Sequence, residues 1–157
     1  MFFLFLLIQC CSNMDTIYQN KYSFENNTWN SSELIEFDFK VTNIDTSYEI
    51  YFHLTYSDYL YRNIIFLSSL YKDSVLIQKD TVNIDLFDKY GKAKGRGMTE
   101  LKKITYKINK GYIFPKQGFY KVKIEQSFRT GSANKLDSLR SLRSLGFMIK
   151  NKKHDNK

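Results

Sequence analysis

Gly118-Phe-Tyr-Lys-Val-Lys-Ile-Glu-Gln-Ser-Phe-Arg129 alternates without a break. Tyr120, Val122, Ile124, Gln126 and Phe128 face one way, and Lys121, Lys123, Glu125 and Ser127 face the other. Successive side chains leave a pleated backbone on opposite sides, so a period of two marks a strand with one buried face. The same signature recurs upstream. Ile35, Phe37, Phe39 and Val41 alternate with Glu36, Asp38 and Lys40, and Asn43-Ile-Asp-Thr-Ser47 follows as a turn. Ile50, Phe52 and Leu54 then alternate with Glu49, Tyr51, His53 and Thr55. Residues 63–71 are apolar on both faces, as in a central strand. Residues 74–79 and 81–87 read as two short strands or one bent strand, and Ile104, Tyr106 and Ile108 alternate with lysines and Thr105.

Turn-forming segments separate these runs. Asp88-Lys-Tyr-Gly-Lys-Ala-Lys-Gly-Arg-Gly97 is a basic loop carrying three glycines, and Phe114-Pro-Lys-Gln-Gly118 is a tight link. Ser138-Leu-Arg-Ser-Leu-Arg-Ser-Leu145 repeats every three residues, so it is expected to form one helical turn or a loop whose leucines cover the end of the domain. Gly146 to Lys150 closes as a strand. Short strands spaced by turns, with no long 3.6-residue period, predict an all-β antiparallel sandwich. Its expected span is residues 33–150, followed by a basic tail at 151–157. Residues 11–32, polar and rich in Asn and Ser around Trp29, read as a lipidated N-terminus and tether.

The first residues explain the word lipidated. Met1-Phe-Phe-Leu-Phe-Leu-Leu-Ile-Gln-Cys-Cys11 holds an apolar run too short to cross a bilayer as a helix, which takes about 20 residues. It fits the hydrophobic region of a secretory signal, and cysteines at its end fit a bacterial lipoprotein signal over residues 1–10. No Lys or Arg precedes Cys10, so the signal reads as truncated at its start or reduced. Cleavage before Cys11 leaves Ile8 at the aliphatic position, whereas cleavage before Cys10 leaves bulky Gln9 where a small residue belongs. Cys11 is therefore the expected lipidation site, with Cys10 the alternative.

Composition narrows the chemistry. A hydrophobic fraction of 43% with 17% aromatics is ample for a core, and Cys10 and Cys11 are the only cysteines, which excludes a disulfide framework in the domain. The net charge of +8 is spread along strands and tail without a nucleic-acid recognition motif, so nucleic acid is not an expected partner. His53 and His154 are the two histidines, and no His or Cys spacing suits a metal. No nucleophile elbow or phosphate-binding loop occurs, and Gly91, Gly95 and Gly97 read as turn glycines rather than a dinucleotide site. Glu36 and Asp38 share a solvent-facing strand side, without the apolar site that raises a catalytic pKa. No enzyme, metal or cofactor is expected. Aromatics remain: Tyr48, Tyr51, Tyr56, Tyr59 and Tyr61 cluster, and Tyr51, Tyr56, Tyr59 and Tyr61 form the candidate partner or ligand face, read against strand packing and biased composition.

The order of these motifs resembles the GldH family of gliding-motility lipoproteins of the Bacteroidota. The likeness rests on the short lipoprotein signal and Trp29 ahead of Leu34-Ile-Glu-Phe-Asp-Phe-Lys-Val41. It continues through Tyr48-Glu-Ile-Tyr-Phe-His-Leu54, Tyr61-Arg-Asn-Ile-Ile-Phe66, Gly95-Arg-Gly97, Phe114-Pro-Lys-Gln-Gly-Phe-Tyr120 with Ile124-Glu-Gln-Ser-Phe-Arg129, and the closing Leu142 to Lys150. Two places depart from the family pattern: Met98-Thr99 precedes Glu100, and the Ser-Leu-Arg repeat stands where a Pro-Gly turn is usual. The resemblance implies a non-catalytic lipoprotein of the cell envelope, anchored to a membrane facing the periplasm. It implies partners in the gliding and associated protein-secretion machinery. A surface lipoprotein binding carbohydrate or another ligand through exposed tyrosines is the alternative.

Overall fold

The computed structural model describes residues 15–97, 100–127 and 137–152. Cys10, Cys11, Met98, Thr99, Phe128, Arg129 and His154 lie outside them. Ten strands follow in order: β1 (Thr16–Ser23), β2 (Thr28–Asn30), β3 (Ile35–Val41), β4 (Tyr48–Ser57), β5 (Asn63–Lys72), β6 (Val75–Asp85), β7 (Leu101–Tyr112), β8 (Gly118–Gln126), β9 (Ser138–Arg140) and β10 (Leu142–Asn151). One sheet runs β1-β10-β4-β7 and the other β3-β8-β5-β6, with β2 and β9 paired as a short ribbon. All described pairings are antiparallel. This is the expected antiparallel β-sandwich.

Alternation places the core. Ile35, Phe37, Phe39 and Val41 of β3 are buried, as are Tyr120, Val122, Ile124 and Gln126 of β8. Phe52 of β4 meets Phe66 of β5 across the sandwich with ring centroids 5.0 Å apart, and Phe147 of β10 stacks on Phe37 at 5.7 Å. Strand β5, apolar on both faces, is indeed internal to its sheet, between β8 and β6. Residues 75–85 form one strand.

Two expectations need correction. The domain begins at β1 rather than at residue 33, because Thr16-Ile-Tyr-Gln-Asn-Lys-Tyr-Ser23 pairs along β10. As an edge strand it needs only Tyr18 and Tyr22 on its inner side, and its remaining polar residues read locally as a tether. Trp29, expected in that tether, is fully buried, packed between Phe24 and Phe66. The Ser-Leu-Arg repeat, in turn, is neither helix nor loop. It is β9 and the start of β10, and Leu139, Leu142 and Leu145 are all buried. A strand repeats every two residues, so a period of three needs an extra residue between successive leucines. Ser141, at φ 67°, supplies the first by breaking the chain between β9 and β10. A bulge between Leu142 and Ser144 opposite Tyr56 and Thr55 supplies the second.

Candidate functional site

Strand register scatters the tyrosine cluster instead of gathering it. Tyr48, Tyr51 and Tyr56 lie on β4, where alternation turns Tyr48 and Tyr56 inward and leaves Tyr51 on the outer face. Tyr56 and Tyr59 are buried, so neither contributes to an exposed face. Half-buried Tyr61 packs edge-on against Tyr59, at 5.7 Å between centroids. Of the four proposed face residues, Tyr51 alone sits on an outer sheet surface. Its hydroxyl donates to Glu49 Oε2 at 2.5 Å, and Lys107 Nζ lies 5.1 Å above its ring. Lys107 also bonds Glu49 Oε1 at 2.6 Å, and that bond, with the Tyr51 hydroxyl, holds the Glu49 carboxyl below its ordinary range.

What the buried tyrosines do is hold loops. Tyr56 Oη lies 2.8 Å from the Leu86 carbonyl and 2.6 Å from that of Lys94, donating its proton between them. It thereby pins both ends of the basic loop, and burial pushes its phenol up. Tyr48 donates to the Asn43 carbonyl at 2.7 Å, and Tyr120 donates to the Lys116 carbonyl at 2.5 Å. Trp29 Nε1 donates to the Glu33 carbonyl at 3.1 Å. An aromatic residue whose body fills the core while its polar tip meets a loop carbonyl satisfies both environments at once. The sequence signal, an abundance of Tyr at inward strand positions, was present, but it pointed to packing rather than binding.

The basic loop is built for shape. Asp88 Oδ1 accepts the backbone N–H groups of Tyr90 and Lys92 at 2.8 and 2.9 Å, which lowers its pKa. Arg96 and Lys103 exchange backbone hydrogen bonds of 2.9 and 2.8 Å. At Gly95, φ is 97° and an added Cβ would stand 2.7 Å from the Lys103 carbonyl oxygen, so this glycine serves a close backbone approach.

His53 lies in a shallow polar hollow on the outer face of the β1-β10-β4-β7 sheet. Gln19, Lys21, Thr55, Lys103, Ser144 and Gly146 line it, and a Cβ added at Gly146 would stand 3.3 Å from that of His53. His53 Nδ1 is 2.9 Å from Thr105 Oγ1. Partial burial, then the charges of Lys103 and Lys150, hold its imidazole below its usual pKa. On the opposite sheet, Glu36 bonds Lys121 at 2.6 Å and Lys123 at 3.1 Å, and both lysines hold its carboxyl down. Lys121 also reaches Asp38 at 3.6 Å. These carboxylates are ion-paired on an outer face, the opposite of a poised acid. Gln78 and Asp80 point into the narrow cleft between β6 and β7, joined by a 2.6 Å bond. Inward charge of this kind discourages edge-to-edge pairing. Among the described residues no group of three or more His, Cys, Asp or Glu side chains suits a metal ion.

The comparisons bear on the whole of this domain. Among solved structures the chain is similar to the VP2 subviral particle of infectious bursal disease virus, with 17% identity, TM-score 0.42, and coverage of 90% of this chain and 34% of that one. It is also similar to dimeric latent PorU from Porphyromonas gingivalis, with 11% identity, TM-score 0.34, and coverage of 91% and 14%. The chain thus spans about a third and about a seventh of those two, and neither likeness bears on its function. The gliding motility lipoprotein GldH of Flavobacterium johnsoniae is 24% identical over 137 residues, covering 85% of this chain and 84% of that protein. The family model described as GldH lipoprotein matches residues 16–149, from the first residue of β1 almost to the end of β10. With the sandwich matched from end to end, the chain belongs to the GldH lipoprotein family.

Proposed function

We propose that this chain is a non-catalytic, lipid-anchored component of the cell envelope that assembles or stabilises the gliding-motility machinery and its associated secretion apparatus. The observation that carries this reading is the family match, which spans the folded domain and not a fragment of it. The described surface supports a scaffold: Glu36 and Glu49 on the outer sheet faces are ion-paired to lysines, and the glycine loop is closed on its own backbone. Cys11, or Cys10, carries the lipid, and two or more acyl chains hold a protein stably on a membrane. Partners dock on the sheet edges left open at β1 or β3, since an edge strand presents unpaired backbone groups.

Crosslinking of the native protein in its envelope, followed by mass spectrometry of what co-purifies, tests the reading. Recovery of motor or secretion components supports a scaffold. Recovery of abundant envelope proteins alone, with acyl chains on Cys11, favours a ligand-binding lipoprotein acting through the His53 hollow or Tyr51. The two also separate genetically. Cys11→Ala is expected to abolish function in a scaffold, while Tyr51→Ala leaves it intact.

A further inference from the structure

We infer that the end of the sandwich from which the N-terminus emerges seats directly on the bilayer, with exposed apolar residues of its loop and strand ends entering the headgroup region. This rests on the lipid-anchor reading. The Asp15 carbonyl accepts the Asn151 N–H at 2.7 Å, which fixes the first described residue to one end of the fold. The pairings of Thr16 with Lys150, Tyr48 with Asn151 and Tyr112, Val41 with Gly118, and Lys72 with Val75 and Tyr120 define that end. It is closed by residues 42–47, the Asp73-Ser74 turn and residues 113–117. Three residues lie between Cys11 and Asp15, and the four steps of extended chain that join the two reach at most about 14 Å. A ten-residue strand such as β10 is about 33 Å long, so the opposite end stands clear of the membrane.

The surface that this leash presents to the bilayer is the one a bilayer fits. Val75, Leu76 and Ile77 follow one another along the exposed start of edge strand β6, and Val75 is 67% exposed. Val75 and Ile77 border Pro115 and Lys116, while Phe119, 68% exposed, borders Asp73 and Ser74. Ile113 is 63% exposed on the same end. Scattered apolar residues on a surface mean little, whereas contiguous ones mark an interaction site. Exposed Lys40 lies 5.5 Å over the Phe119 ring, Lys116 stands beside the patch, and exposed Lys152, bonded through its N–H to the Ser47 carbonyl, lies at the same end, all suited to anionic headgroups. Seating also covers an apolar edge that would otherwise invite aggregation. The strands then stand off the membrane, holding Trp29 and the basic loop outward.

The test uses the full-length acylated protein in phosphatidylcholine–phosphatidylglycerol vesicles containing brominated acyl chains. Trp fluorescence is compared for Ile113→Trp, Leu60→Trp and the parent, whose buried Trp29 sets the baseline. Leu60 is 86% exposed at the far end, so both substitutions lie on the surface. The expected result is quenching of Ile113→Trp by about twofold or more, with Leu60→Trp unchanged, and loss of that quenching when Val75→Asp and Ile77→Asp are added. Vesicle-bound, acylated protein with neither tryptophan quenched overturns the seating and leaves the anchor intact. Protein that neither floats with vesicles nor carries acyl chains overturns the anchor reading, and the seating with it.

Discussion

The two ends of the sandwich solve one packing problem with different chemistry outside. At the end that carries the N-terminus, Phe114 packs among Phe39, Tyr48, Tyr112 and Tyr120, with centroids 4.8–5.8 Å away. At the far end Trp29 and Phe24 stack at 5.5 Å beneath the β2–β9 ribbon, and Gln126 donates to the Trp29 carbonyl at 2.6 Å. Both ends use aromatic plugs with polar tips on loop carbonyls. Beyond the plugs they diverge, with contiguous apolar residues at the near end and the ion-rich 88–97 loop at the far one. An open-ended sandwich has to seal itself wherever its strands stop, and what lies outside the seal is left for function.

Substitution distinguishes sealing from surface. Trp29→Ala is expected to have the largest effect, about 3–5 kcal/mol of destabilisation read from urea unfolding, since it empties a fully buried aromatic site. A loss below about 1 kcal/mol would mean that the far end is not sealed by Trp29. Tyr56→Phe should cost about 1–2 kcal/mol, because it leaves the Leu86 and Lys94 carbonyls without their shared donor. Amide exchange should speed up across residues 86–97 and stay unchanged at residues 42–47. Tyr48→Phe should do the reverse, at about 1 kcal/mol, by freeing the Asn43 carbonyl. Identical exchange patterns in the two variants would break the link between each tyrosine and its own loop.

The smallest expected effect is a pH dependence. His53 has a folded-state pKa below its ordinary 6.5, so the folded protein binds fewer protons than the unfolded one around that pH. Stability should therefore decline as pH falls from about 7 through 6.5 towards the folded value, because partial burial, and then Lys103 and Lys150 on neighbouring strands, oppose the imidazolium. Glu36 and Glu49, whose pKa values are depressed below 4.5, contribute stability that disappears only at lower pH. In His53→Gln the upper part of the decline should flatten while the lower part persists. An unchanged profile above pH 5 or so would remove His53 from the account.

Much of the architecture is written locally. Inward residues of β3, β4, β5 and β8 follow a period of two, which sets strand identity, buried face and all-β class without knowledge of any partner. The ordered motifs were enough to point to the family. Edge strand β1 escaped notice because it buries so little that its pattern is nearly polar. The three-residue leucine repeat misled because a bulge and a left-handed serine, both features of pairing, convert its period into that of a strand. Tyr59 and Tyr61 were illegible for another reason: a loop has no periodicity from which to read a buried face.

Chain chemistry alone therefore specified strands and core faces across most of the sandwich. Which strands meet, which tyrosines point into the core and which loops share an end with Asp15 followed from pairings such as Thr16 with Lys150 and Ile35 with Ile124. Those partners lie far apart in the chain, and the energy that selects them arises only when two distant strands exchange hydrogen bonds and bury their faces together.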